Sequence, residues 1–243
     1  MSTAPARVAL VTGARRGIGA ATVTALAEAG LRVVAAARTP TTTAGAQLTV
    51  AGDVTDVADV RRMVAEVTDK VGPVDVLVNN AGGFLRPGTT LDTTQQEWEQ
   101  QLALNLTAPF VMTQAVLPGM VARGWGRIVT IGSVVAHAPA LGNATAYVAA
   151  KAGVVGWTRQ LALETAGTGV TANVVNPGTT RTEHLDDYLR DSDQAAADLA
   201  GGIPVGRLGD PAEVAAAVRY LVGEDAGFTT GISIDVNGGV AMS

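Results

Sequence analysis

The sequence predicts an α/β fold: a doubly wound parallel sheet of about seven strands with helices on both faces. Three observations predict it. Short apolar runs alternate with helical patterns along the whole chain. The first run is followed at once by a glycine-rich turn and an alanine-rich helix. The run at 127–131 is a further buried strand, and the alternation suggests a parallel sheet covered on both faces. At 243 residues, 47% hydrophobic and 16% charged, the chain is long enough and apolar enough to form one domain, residues 1–243.

The elements follow in order. Residues 7–12 (RVALVT) form the first strand and lead into the glycine-rich turn. Gly30 ends the helix after it, at the position where a left-handed residue is wanted. Residues 31–37 and a short run at 48–51 form the next two strands, and only 14 residues separate Arg38 from Asp53, so the helix usual between such strands is truncated. Asp56 is an N-cap, and Val57, Val60, Val64, Val67 and Val71 then make one apolar helical stripe that Gly72-Pro73 stops. Residues 74–78 form a strand ending in Asn79-Asn80-Ala81-Gly82. Residues 94–118 are helical, 127–131 a strand, 147–166 helical and 170–175 a strand ending at Asn176-Pro177-Gly178. Asp210 caps a helix with Pro211 in its first turn, and residues 231–236 close the sheet.

Composition excludes several classes. There are no cysteines, so disulfides, thiolate metal sites and cysteine nucleophiles are out. Two histidines, His137 and His184, are too few for a histidine-rich metal site, and no metal is expected. A net charge of −5 argues against nucleic acid or an anionic membrane as partner. No apolar run approaches the ~18 residues of a membrane span, and residues 1–7 lack a signal pattern. The expectation is a soluble, cytoplasmic protein.

The segment Thr12-Gly13-Ala14-Arg15-Arg16-Gly17-Ile18-Gly19 lies between a strand and a helix, the context of a dinucleotide site in a Rossmann fold. Gly13 permits the tight turn, Gly17 lets the backbone approach a pyrophosphate, and Gly19 lets the helix pack against the strand. About 20 residues further on, an NAD site carries a carboxylate for the ribose. Here that place reads Ala36-Ala37-Arg38-Thr39, and the next acid is Asp53. Arg15, Arg16 and Arg38 instead offer paired hydrogen bonds to a ribose 2′-phosphate. The expected cofactor is NADP(H).

Tyr147 and Lys151 stand four apart on a predicted helix, hence on one face. Taken alone, such pairs are usually packing pairs. Lys151, however, is one of only two lysines among 17 basic residues, the other being Lys70. A compact ammonium beside a phenol has a chemical use. Tyrosine titrates near pH ~10, and bringing it close to neutrality takes roughly 4 kcal/mol. A cation about 4–5 Å away in an effective dielectric of about 20 supplies roughly 3–4 kcal/mol. Ser133 follows the fifth strand directly, placed to hydrogen-bond a substrate oxygen. Its surroundings, Ile131-Gly132-Ser133-Val134-Val135, are not the G-x-S-x-G of a hydrolase nucleophile, and nothing positions His137 or His184 as a triad base.

In this order the motifs resemble the short-chain dehydrogenase/reductase family, in its form of roughly 250 residues, from Val8 to Gly239. The resemblance implies that Asp53-Val54 contact the adenine, that Asn80, Ala81 and Gly82 belong to the structural segment beside the cofactor, and that Pro177-Gly178 with Thr180 and Thr182 hold the nicotinamide carboxamide. It implies that Asn105 orders a proton-relay water, that Ser133 stabilises the substrate oxygen, that Tyr147 is the acid/base, and that Lys151 lowers the tyrosine pKa and binds the nicotinamide ribose. The implied reaction is hydride transfer between nicotinamide and a ketone or secondary alcohol, in a homotetramer. A 3-oxoacyl-(carrier protein) reductase is the alternative substrate class, and a non-catalytic dinucleotide-binding sensor the alternative of another kind. Related carrier-protein reductases present basic side chains for docking; Gly124 and Thr168 stand where these are expected, with Arg123 and Arg127 nearby. The expected substrate is therefore a free ketone or alcohol. The pocket is expected to include Phe84, Leu85, Val134, His137, Pro139 and Leu141, under a lid at 183–203 carrying Glu183, Asp186, Asp187, Asp191 and Asp193 against His184 and Arg190. The chain departs from the family pattern at position 180, a threonine where an aliphatic residue is common, and in a Ser133–Tyr147 spacing one residue longer than usual.

Overall fold

A computed structural model describes residues 6–39, 42–138, 144–189 and 193–242. Seven parallel strands form one sheet in the order β3-β2-β1-β4-β5-β6-β7, with β1 Val8–Thr12, β2 Arg32–Ala37, β3 Ala46–Ala51, β4 Val76–Asn79, β5 Gly126–Ile131, β6 Val170–Pro177 and β7 Ser233–Val236. Strand order reverses between β1 and β4, so the crevice at their carboxyl ends is the natural ligand site.

Each strand presents alternate residues to two cores. Val8 and Leu10 of β1, with Val34, Leu77 and Ile128, pack under α2 (Val57–Lys70), α4 (Ala108–Arg123) and α5 (Thr145–Thr165). Ala9 and Val11, with Val33, Val78 and Val175, pack under α1 (Gly17–Glu28) and α8 (Pro211–Val222). The expected caps form: Asp56 accepts from the N–H groups of Ala58 and Asp59, Asp210 makes a capping box with Glu213, and Gly30 takes φ 87° after α1. Val57 is the exception in the predicted stripe. It stays exposed, and Met63 takes the buried place beside Val60 and Val67.

The third helical region differs from expectation in two ways. It runs on past Pro118 to Arg123, because Val116 and Met120 on either side of the proline are buried against the sheet, and it stops only at Gly124 (φ 67°). It also contains a π turn, Ala103–Thr107, between α3 (Gln95–Leu102) and α4. Asn105 lies in that turn, and its side-chain Nδ2 donates to the Gln101 carbonyl, 3.1 Å away. The combined stretch 95–123 is long and apolar enough to cross a membrane by composition, contrary to the expectation that no such run exists. In this structure it packs Met112, Val116 and Met120 onto the sheet.

No helix lies between β2 and β3 among the described residues, so that side of the crevice stays open.

Candidate active site

The phosphate turn and the segment after β4 are built as one unit. Thr12 Oγ1 accepts from the backbone N–H groups of Asn80 and Ala81, each at 3.0 Å, and Asn80 Nδ2 donates to the carbonyls of Thr12 (2.9 Å) and Gly13 (3.1 Å). The amide of Asn80, expected beside the cofactor, turns inward and holds the turn. Gly13 (φ 64°) and Gly19 admit no side chain: a Cβ would lie 2.8 Å from the Ala81 Cα and 2.4 Å from the Gly13 carbonyl oxygen respectively. Ile18 is partly buried and packs against the core beside α1.

A groove of about 510 Å³ opens along this crevice, lined by Gly13, Arg15, Arg16, Arg38, Asp53, Val54, Ala81 and Gly82. The three arginines therefore converge as expected. Asp53 accepts from the backbone and hydroxyl of Thr55, which holds its carboxyl below the usual carboxylate range, and Arg38 adds to the effect. Two acids of α6 (Glu183–Leu189) reach the same end. Glu183 Oε2 accepts from the Gly17 N–H at 3.0 Å, and Asp187 pairs with Arg16 at 3.0 Å. These two acids meet the phosphate turn, so they do not form a merely solvated face. Residues 139–143 and 190–192, including Pro139, Leu141, Arg190 and Asp191, lie outside the described residues, as do the side chains of His184 and Asp193.

Pro177 ends β6 and Gly178 follows, pressed so closely on residue 237 that a Cβ would lie 2.8 Å from the Asn237 Cα. Thr182 approaches Gly17. Thr180, expected on the cofactor, is buried, and its hydroxyl donates to the Gly178 carbonyl at 3.1 Å. Its part is to shape the loop.

At the chemical end, Ser133, Tyr147 and Lys151 meet. Ser133 lies near enough to the Tyr147 phenol to lower it in part. Lys151 Nζ lies 5.7 Å from the Tyr147 ring centroid and donates to the Ile131 carbonyl at 2.7 Å. The two side chains share one face of α5 and face the crevice, since a Cβ on Gly82 would come within 3.6 Å of Lys151 Nζ. The electrostatics differ from expectation. Burial lowers Lys151 to about 8 and raises the Tyr147 phenol, with the nearby Ser133 only partly offsetting it. The pairwise Coulomb argument omits dehydration, which penalises the charged form of both groups.

Asn105 is buried and its side chain is occupied. Oδ1 accepts from the Gly83 N–H, while Nδ2 donates to the carbonyls of Gly83 and Gln101. Its side chain thus holds residue 83. Gln101 does the same for the next residues, donating to Gly83 and accepting from Leu85 N–H. Phe84 stands edge-on to Tyr147, centroids 5.8 Å apart, and both it and Leu85 are exposed at the mouth. Sequence reasoning missed Thr12, Gln101 and Asn176 as site-building residues. The only local signal was a polar residue beside each motif.

The family model described as short chain dehydrogenase matches residues 7–193. The chain belongs to the short-chain dehydrogenase family. It is 42% identical over 246 residues to the 3-oxoacyl-[acyl-carrier-protein] reductase FabG of Vibrio cholerae, covering 97% of this chain and 98% of that one. It is 40% identical over 253 residues to the acetoacetyl-CoA reductase of Allochromatium vinosum, covering 98% and 99%. Among solved structures, a variant of actinorhodin polyketide ketoreductase with NADPH superposes with a TM-score of 0.90 at 38% identity, over 99% of each chain. As a short-chain dehydrogenase the protein is an oxidoreductase acting between C=O and CH–OH groups.

Proposed function

We propose that this dehydrogenase is an NADP(H)-dependent ketoreductase whose proton donor is Tyr147. The observation that carries the reading is the convergence of Ser133, Tyr147 and Lys151 at the end of the groove that Arg15, Arg16 and Arg38 line. The residues fit NADP(H): glycines whose side chains would fill the turn, three arginines at the ribose end, and no carboxylate at position 38. NADPH, when bound, supplies the hydride. Arg38 and Arg15 clamp the 2′-phosphate, Asp53 and Val54 line the adenine end, and the loop at 177–182 borders the nicotinamide.

Ser133 donates to the substrate oxygen and Tyr147 delivers its proton there as negative charge develops. The raised phenol suits a donor, because it stays protonated at neutral pH. Lys151 holds its place through Ile131 and presents its ammonium beside the phenol and the ribose. Asn105 and Gln101 fix the loop that carries Phe84 and Leu85 as an apolar wall.

A free ketone is the better substrate class. Arg123 is engaged by the Val74 carbonyl and Asp75, and Arg127 is buried with its guanidinium stacked on Trp125, so neither serves as a docking cation for an acidic carrier. The names of the relatives favour the second reading, a 3-oxoacyl thioester. A panel of aryl and alkyl ketones, a 3-oxoacyl-CoA and a 3-oxoacyl carrier protein, followed by NADPH absorbance, decides between them. Turnover restricted to the carrier-bound substrate overturns the free-ketone reading. The absence of turnover across the panel, with NADPH bound, supports the sensor instead.

A cytoplasmic homotetramer completes the proposal. Exposed apolar side chains support the assembly: Phe110, Val121 and Leu163 on α4 and α5, and Tyr220, Phe228 and Ile232 between α8 and β7. Analytical ultracentrifugation tests it.

A further inference from the structure

Ser133 ends a three-residue segment tied to α5 at Ile131 and to β6 at Gly132 and Ser133. Lys151 Nζ donates to the Ile131 carbonyl, Gly132 N–H donates to the Val175 carbonyl at 2.8 Å, and Ser133 N–H donates to Asn176 Oδ1 at 3.2 Å. The β5–β6 ladder stops at Ile131–Val175. The Asn176 side chain therefore acts as one more rung, holding a backbone group that the strand itself leaves beyond its end.

Asn176 is completely buried, and its amide is used on every side. Nδ2 contacts Asp235 Oδ1 at 3.1 Å and His137 Nε2 at 3.0 Å. An ionised carboxylate only accepts, which fixes which end of the amide faces Asp235 and leaves Oδ1 for Ser133. His137 must then accept through Nε2 and carry its hydrogen on Nδ1. Gly132 makes the room: a Cβ there would lie 2.1 Å from Asn176 Oδ1. Val135 N–H also donates to Ser133 Oγ, at 3.4 Å, so that lone pair is engaged and the hydroxyl hydrogen is left to give away.

We propose that Asn176 is a positioning residue for the reaction: by holding the Ser133 backbone against β6 it aims the Ser133 hydroxyl at the Tyr147 phenol and the substrate oxygen. The proposal rests on the reading of Ser133 given above. Asp235 fixes the direction of the amide, and Gly132 leaves it space.

The test compares N176A, G132A and S133A with the native enzyme, using the ketone it reduces fastest. N176A and G132A break the same bond from its two ends. Both are expected to lower kcat at least about tenfold, as a displaced catalytic group does, with the KM for NADPH within about twofold. Both should also move the alkaline limb of the pH–rate profile to higher pH, because the phenol loses the nearby serine hydroxyl that partly lowers it. N176D alone sets a carboxylate against Asp235 and should be equally impaired. N176D/D235N restores a donor facing an acceptor and should recover most of the rate. If N176A and G132A, folded by thermal unfolding, keep the native kcat and pH limb, the proposal is wrong. A uniform loss in kcat and NADPH affinity with an unmoved limb and no recovery in the double variant likewise overturns it, since that is what a purely structural role gives. S133A tells the two levels apart: full activity in S133A removes the reading of Ser133 and this proposal together, whereas an inactive S133A beside a fully active N176A removes the proposal alone.

Discussion

The two ends of the crevice are built on opposite principles. The phosphate end is open, with cations half in water: the side chain of Arg16 is 39% exposed and its partner Asp187 is 70% exposed. The chemical end is shut. Ser133, Lys151, Asn105 and Asn176 are all buried, and each has its polar atoms tied to named partners. Binding a phosphate asks only for charge within reach, and side chains that move can still find it. Delivering a proton asks for a fixed distance, and that requires removing water and replacing its hydrogen bonds one by one.

The largest effect expected from this contrast is at the shut end. Tyr147→Phe should lower turnover by about 10³-fold, within the range for loss of a general acid, while NADPH binding followed by fluorescence stays native. A variant that kept its rate would place the proton donor elsewhere.

Second comes Lys151, where the burial that serves chemistry costs stability. Its pKa falls from 10.5 unfolded to about 8 folded. The unfolded chain therefore binds the extra proton between these values, and stability rises with pH across that window. Below pH 8 the contribution is a constant penalty of about 3 kcal/mol. Lys151→Met should abolish activity and remove this rise, seen by comparing denaturant midpoints of the two proteins at pH 7.5 and 10. Parallel curves for native and variant would show that the ammonium is not dehydrated.

The open end should respond less. Arg38→Ala should reduce kcat/KM with NADPH about 10- to 100-fold, the worth of one charge-assisted pair, and leave NADH kinetics unchanged. An equal loss for both cofactors would mean that Arg38 does not read the 2′-phosphate. The smallest change is at Glu183, whose carboxylate sits on the Gly17 N–H where a phosphate belongs. Glu183→Gln keeps an acceptor but removes the charge, and should tighten NADPH by about two- to fivefold. Weaker binding would show that the acid assists the cofactor rather than competing with it.

What could be read from the sequence divides along similar lines. Gly13, Gly17, Asp56 and Asp210 were legible because a local backbone requirement selects the residue type. Tyr147 and Lys151 were legible because helical spacing alone puts them on one face. Asn80 and Thr180 lie in the right segments but turn inward, a choice made by neighbours remote in sequence. Pro118 signalled a stop that packing overrode, and the valine stripe named Val57 where Met63 is the buried residue. The sign of the phenol shift was missed for a physical reason: charge pairs can be counted along a helix, but dehydration depends on everything folded around it. Asn176 was invisible because its three partners come from β5, β7 and the loop after Ser133.

The π turn at Ala103–Thr107 makes chain length itself a constraint. Such a turn holds one residue more than the helix around it. Removing any one of the five would let α3 and α4 merge into a regular rod, and would rotate the two halves by roughly 100° relative to each other. Asn105 and Gln101 could not then both reach Gly83 while Met112 and Met120 kept their places on the sheet. In this helix a single-codon deletion should therefore do more harm than most replacements, and homologous helices should be aligned with the surplus residue in view.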